Sequence, residues 1–267
     1  MTTATVNGID VYYEVHGVAD GPWVLNIGGT GGDLRQTFPA RSPLNEHFRV
    51  LHYDQRGLGR TDKPDADYTM ADYADDAAAL IETVAGGRCH VVGTSFGGMV
   101  ALNLVARRPD LVDRLVLLVT SPGGDHASYR LPLLQQMDPD EAFPIRMRLL
   151  DERWHPEAVE PIPGLGGIYD FIVAQQQAAP SPDVQAGLDR QLGARDGHDV
   201  VDALGTIHHP TLVGAGRHDG LAPVANSMVL AEHIPGATLE VFDGGHLMTF
   251  QDARAWPTVV DFLRAGS

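Results

Sequence analysis

Cys89-His90-Val91-Val92-Gly93-Thr94-Ser95-Phe96-Gly97-Gly98-Met99 is the stretch on which the fold turns. It opens on an apolar run of strand length, Cys89–Val92, and leads into Met99–Arg107, a helical pattern that Pro109 stops. Between them, Gly93-Thr94-Ser95-Phe96-Gly97 reads G-x-S-x-G. Glycines at 93 and 97 let neighbouring backbone approach where a Cβ would clash. A strand turning sharply into a helix holds the serine in strained geometry, with Oγ raised above the sheet. The helix N-terminus beneath it adds free N–H groups and the positive end of a dipole. The bland alternative is an ordinary glycine-rich turn; the strand–turn–helix context favours a presented nucleophile.

Outward from this turn, strands alternate with helices. Val6 to Val15 alternates about Asn7-Gly8 and reads as antiparallel edge strands. Trp23–Ile27 and Arg49–Tyr53 read as short buried strands, and Thr69–Val84 as an amphipathic helix. Leu115–Thr120 and Thr211–Ala215 are further strands, followed by helix Val224–His233, strand Thr238–Phe242 and a last helix, Trp256–Arg264. This alternation predicts the α/β class, with a mostly parallel central sheet flanked by helices. Between Pro122 and about Ala203 prolines are dense and strand signals vanish. Short helical stretches remain there, such as Glu141–Leu150, Tyr169–Ala178 and Val184–Leu192. The expected organisation is a core of residues 1–121 and 205–267 with a helical cap, or lid, at 122–204.

The 267 residues suit one large domain or a core with an insertion. Hydrophobic content of 43% and charged content of 20% describe a globular chain. A formal net charge of −16 argues against a general nucleic-acid binder, which needs a basic footprint, and against docking on anionic lipid. The single cysteine, Cys89, forms no intramolecular disulfide and suits a reducing compartment. No histidine pair has HExxH spacing, so no metal site is expected. The first residues lack a basic n-region and an apolar stretch, and the longest aliphatic run, Leu115–Val119, is far too short to span a bilayer. Together these predict a cytoplasmic protein without a membrane partner; homo-oligomerisation stays open.

Four segments resemble the α/β-hydrolase fold superfamily, in its serine-nucleophile branch. They are the Ser95 turn, Asp54-Gln-Arg-Gly-Leu-Gly-Arg-Thr-Asp62, Gly216-Arg-His-Asp219-Gly-Leu-Ala-Pro223 and Gly244-Gly-His246. Tyr68–Leu118 is most similar to enol-lactone hydrolases and small carboxylesterases. The resemblance covers essentially the whole chain outside the insertion, which is expected to cover the catalytic edge as a lid. It implies the chain order Ser, acid, His. The base is therefore expected late in the chain, and His246 sits on a glycine loop after strand Thr238–Phe242, at the sheet edge where α/β sites lie. The resemblance places the acid at Asp219, after strand Thr211–Ala215, where it would fix the imidazole tautomer. Asp125, in the loop after strand Leu115–Val119, is the alternative acid. Asp243 reads as a turn former, and His218 as pointing away from the base. His90, His208, His209 and His233 read as packing or surface residues, and Asp54-Gln55-Arg56 as a structural turn with an ion pair.

Two N–H donors are expected to hold the oxyanion. The first is Phe96 N–H, directly after the nucleophile. The second, by alignment with relatives, is Thr30 N–H in Gly28-Gly29-Thr30-Gly31-Gly32. Relatives commonly place a bracing histidine where Gly28 stands, so four glycines among five residues predict a loosely held loop. The same glycines suggest a phosphate cradle, but neither GK[ST] nor an acidic residue at dinucleotide spacing accompanies them. Gly29, Met137, Phe143, Trp154, Tyr169, Leu247 and Met248 are the expected pocket residues, with Phe171 and Ile172 as further apolar candidates. Arg130, Arg146 and Arg148 could meet a substrate carboxylate, although solvated surface is the simpler reading of each. The expected activity is cofactor-free hydrolysis of a small ester or lactone through an acyl-enzyme. Acyl transfer, perhydrolysis and C–C bond hydrolysis would use the same groups, and a ligand-sensing receptor is the alternative outside catalysis.

Overall fold

The apolar run at Cys89 becomes the middle of an eight-stranded sheet. The computed structural model describes residues 2–157, 162 and 181–265. Its strands are β1 (Thr3–Val6), β2 (Ile9–Gly17), β3 (Trp23–Ile27), β4 (Arg49–Tyr53), β5 (Cys89–Thr94), β6 (Val112–Leu118), β7 (Thr211–Gly216) and β8 (Thr238–Phe242). They lie in the order β1-β2-β4-β3-β5-β6-β7-β8. β1 and β2 pair antiparallel across Asn7-Gly8, whose φ values of +48° and +79° are the left-handed pair that a two-residue hairpin turn needs. β2 meets β4 antiparallel, and every later pairing is parallel.

Among the described residues, the helices of ten or more residues are α1 (Met70–Leu80), α2 (Phe96–Arg107), α3 (Pro139–Leu150), α4 (Pro182–Asp196), α5 (Val224–His233) and α6 (Ala255–Arg264). The central strands are apolar on both faces because helices cover both. Val91, Leu115, Leu117 and Val213 join α1 and α2 in one core cluster. Val92, Val116, Leu118 and Leu212 join α6 in the other. No helix among the described residues is long and apolar enough to cross a membrane.

Some boundaries differ from the sequence reading for local reasons. The helix expected over Thr69–Val84 is capped by Thr69 and Asp72, which bond each other's backbone N–H. It widens after Leu80 into one turn, closed by Gly86 N–H on Ile81 O at 2.9 Å. α2 begins at Phe96 rather than Met99, so Gly97 and Gly98 lie inside it. β6 starts three residues before Leu115 and stops at Leu118, because Val119 turns away at φ +46°.

Between β6 and β7 the described residues form helices and single-residue bridges at Gly123 rather than strands. The expected helix Tyr169–Ala178 lies outside the described residues, as do Phe171 and Ile172. α3 and α4 both reach the C-terminal edge of the sheet. Leu150 O accepts from His246 N at 2.7 Å, and Gln191 Oε1 accepts from Gly31 N at 2.8 Å.

Candidate active site

Ser95 sits where β5 becomes α2, at φ +55° and ψ −119°. A non-glycine residue there is strained, and the surroundings hold it. Ser95 N donates to Leu118 O at 2.8 Å, and Thr120 Oγ1 donates to Ser95 O at 2.7 Å. A Cβ on Gly97 would lie 2.1 Å from Ile27 O, and one on Gly93 would lie 2.4 Å from Gly97 O. Both positions therefore need glycine for backbone contact.

The late loops bring His246 and Asp219 to this serine. His246 Nε2 lies 2.9 Å from Ser95 Oγ, and His246 Nδ1 lies 2.8 Å from Asp219 Oδ2. Asp219 is buried, and its Oδ1 accepts Leu221 N–H and Ala222 N–H, each at 2.8 Å. The carboxylate thus accepts a hydrogen bond from Nδ1–H, which leaves Nε2 as the acceptor facing Oγ–H. The His246 loop is itself pinned, because Gln251 Oε1 accepts Gly245 N–H at 2.8 Å while Gln251 Nε2 donates to buried Asp151 at 2.9 Å. Sequence reading missed Gln251 and Asp151; neither stands in a motif.

Thr30 and Phe96 carry the two N–H groups expected at an oxyanion site. Among the described residues neither N–H has a hydrogen-bond acceptor. A Cβ on Gly29 would lie 3.5 Å from Ser95 Cβ, so this loop runs directly beside Ser95. Contrary to expectation the loop is braced. Gln55 Nε2 donates to Gly28 O at 2.9 Å, and buried Gln191 reaches from α4 to Gly31. Two amides from distant elements do the work expected of a histidine.

The remaining candidates separate. Leu247 is half-buried next to His246, whereas Met248 is fully buried in the core cluster with Leu118 and Phe242. Met248 is therefore core rather than pocket wall, drawn inward by the helical turn that follows His246. Met137 packs against Leu134, Ala142, Leu149 and Leu221, and Phe143 meets Trp154 edge-on with centroids 6.0 Å apart. Tyr169 lies outside the described residues. Asp125 is exposed, and exposed Asp243 pairs with Arg153 and His218 at 3.3 Å each. Arg130 pairs with Asp196, Arg148 is exposed, and half-buried Arg146 has its pKa lowered by burial. Asp54-Gln-Arg56 is structural apart from Gln55: Arg56 holds buried Asp76 through two bonds of 2.6 and 2.8 Å. Among the described residues no cluster of three or more His, Cys, Asp or Glu could hold a metal ion.

Comparison with known proteins agrees with this fold. A model of the alpha/beta hydrolase fold matches residues 22–155. A relative from Variovorax paradoxus, provisionally named carbamate hydrolase RutD, is 34% identical over 95% of this chain and 96% of its own. One of the same name from Caulobacter sp. is 32% identical over 98% of each chain. The crystal structure of the enol-lactonase from Burkholderia xenovorans superposes with a TM-score of 0.81 at 26% identity, covering 98% of this chain and 99% of that one. With a full-length match at this identity, the chain belongs to the α/β-hydrolase fold family and is a hydrolase.

Proposed function

We propose that the chain is a serine hydrolase that cleaves a small carboxylic ester or lactone through an acyl-enzyme. The observation that carries this reading is the unbroken hydrogen-bonded line from Ser95 Oγ through His246 to Asp219, beside two unpaired N–H groups. A serine hydroxyl alone is a weak nucleophile. His246 Nε2 takes its proton as Oγ bonds to the substrate carbonyl carbon. The negative charge that develops on the carbonyl oxygen rests on Phe96 N–H and Thr30 N–H. Asp219 stabilises the imidazolium, which then gives its proton to the leaving alkoxide as the C–O bond breaks. Water, deprotonated by His246, attacks the acyl-enzyme; the acyl C–Oγ bond then breaks, His246 returns the proton to Ser95 Oγ, and the acid is released.

The curated relatives favour a second reading, in which the same groups cleave a carbamate. A carbamate presents the same carbonyl carbon to Ser95, with nitrogen on one side and oxygen on the other.

The test is intact-mass spectrometry after treatment with a fluorophosphonate, followed by turnover of p-nitrophenyl esters, small lactones and small carbamates. One adduct is expected on the wild type and none on a folded Ser95→Ala variant, which should lose at least about 10³-fold in turnover. An adduct on that variant removes Ser95 from the role. Turnover of carbamates alone favours the second reading, and transfer of the acyl group to an added alcohol in preference to water identifies a transferase.

A further inference from the structure

His198 follows the end of α4, is buried, and takes no part in the proton transfers at Ser95. Its partners fix its tautomer. Nε2 lies 3.0 Å from Ser121 O, a group that only accepts, so Nε2 carries the proton. Nδ1 lies 3.1 Å from Asn103 Nδ2, a donor, so Nδ1 offers its lone pair. Burial pushes the pKa of His198 down to about 4, which keeps the ring neutral and both bonds in place at neutral pH.

Those two bonds join the elements that meet at Ser95. Asn103 lies on α2, the helix that begins directly after Ser95. Ser121 lies in the segment after β6, and the chain from Leu118 to Thr120 grips the Ser95 backbone on both sides. Leu118 O accepts Ser95 N–H at 2.8 Å, and Thr120 Oγ1 donates to Ser95 O at 2.7 Å. A Cβ on Gly98 would lie 2.6 Å from Thr120 Cβ, so this segment is pressed onto the first turn of α2. The segment is itself strained: Val119 is β-branched and sits at φ +46°, a region such residues avoid. Strain of this kind persists only where the surroundings fix the backbone. Val119 N donates to Gly214 O at 2.8 Å; beyond it, His198 holds Ser121 O and Val200 N donates to Pro122 O at 2.9 Å.

We infer that His198 is a positioning residue for Ser95: its imidazole ties Ser121 O to Asn103 of α2, and through Thr120 this tie holds the serine in its strained presentation. The inference rests on the reading of Ser95 as the nucleophile. His198 acts through backbone geometry and moves no proton. Its place in the chain couples the two halves of the site, because Gln191, on the helix that leads to His198, accepts Gly31 N–H beside Thr30.

The test is the second-order rate at which a fluorophosphonate labels Ser95, followed by intact mass on protein that circular dichroism shows to be folded. His198→Leu should label about tenfold or more slowly. His198→Gln, whose amide carries both a donor for Ser121 O and an acceptor for Asn103, should recover to within about threefold of the wild type. In a Thr120→Val background the last link is already cut, so His198→Leu should cost less than about twofold more. If His198→Leu fails to fold, Asn103→Leu cuts the same tie from α2 and should slow labelling about threefold; labelling of that variant at the wild-type rate then overturns the inference. Equal rates for the wild type and folded His198→Leu, even with a lowered Tm, overturn it and leave Ser95 as the nucleophile. So do full losses that multiply in the Thr120→Val background, or a His198→Gln variant as slow as His198→Leu. A wild type that takes no label at Ser95 overturns the nucleophile reading, and this inference with it.

Discussion

At the residue scale, the amides of Gln55 and Gln191 are the side chains that sequence reading did not anticipate. Each reaches one end of the glycine loop that carries Thr30 N–H, and each comes from a different element. An amide can replace a histidine here because the loop needs only a partner for its backbone, not a proton carrier. Gln191→Leu removes the acceptor for Gly31 N–H while keeping the volume. If Thr30 N–H holds the oxyanion as proposed, kcat should fall by about 10²-fold or less with KM moving little, because misplacing one such donor acts mainly in the transition state. Steady-state kinetics on the best ester or lactone checks this; unchanged kcat would mean the loop holds its shape without Gln191. Neither glutamine belongs to a motif that names its contact, so sequence inspection had no signal for either one.

At the element scale, the segment after β4 fastens β2 and α1 to the sheet through charge. Arg56 and Asp76 form a two-bond pair, with side chains 10% and 2% exposed, and Asn7 Nδ2 donates to Asp76 Oδ1 at 2.9 Å. Breaking such a pair from one side leaves a buried charge without compensation. Asp76→Leu should therefore destabilise the protein by about 3–5 kcal/mol in urea unfolding. The double variant Arg56→Met/Asp76→Leu should recover much of that loss. A single variant that costs under about 1 kcal/mol would show that water reaches the pair. The motif around Asp54 signalled an ion pair in sequence, but its partner on α1 became visible only once the helix was docked. Asp76 alternates with Asp72 and Asp75 in a helix whose acidic residues otherwise face solvent.

At the scale of the whole molecule, burial of neutral histidines links folding to pH. Burial pushes both His52 and His198 down to about 4, against about 6.5 in an unfolded chain. Between those values the unfolded state binds the extra protons, so stability rises with pH across that window. The contribution is complete above about pH 6.5 and is lost as pH falls toward 4, on the order of 3 kcal/mol for each residue. Acid also relieves self-repulsion from the net charge of −16, which acts in the opposite direction. The informative measurement is therefore the difference between wild type and His52→Asn in urea unfolding at pH 7.5 and 4.5. The variant should lose distinctly less stability on acidification; parallel curves would show that His52 protonates freely in the folded protein.

Sequence alone determined the strand–turn–helix at Ser95 and the parallel centre of the sheet. Those features are local: apolar periodicity, glycines required by backbone contact, and loops that must follow particular strands. Only the tertiary structure decided which side chains support them. Gln191 and Gln251 hold backbone N–H groups of Gly31 and Gly245 that any sequence would supply, and Gln251 is itself held by Asp151, a hundred residues away along the chain. Met248 went to the core rather than the pocket for a similar reason. Its direction depends on how one short helical turn docks against Leu118 and Phe242, and that is settled by packing volume rather than by spacing along the chain.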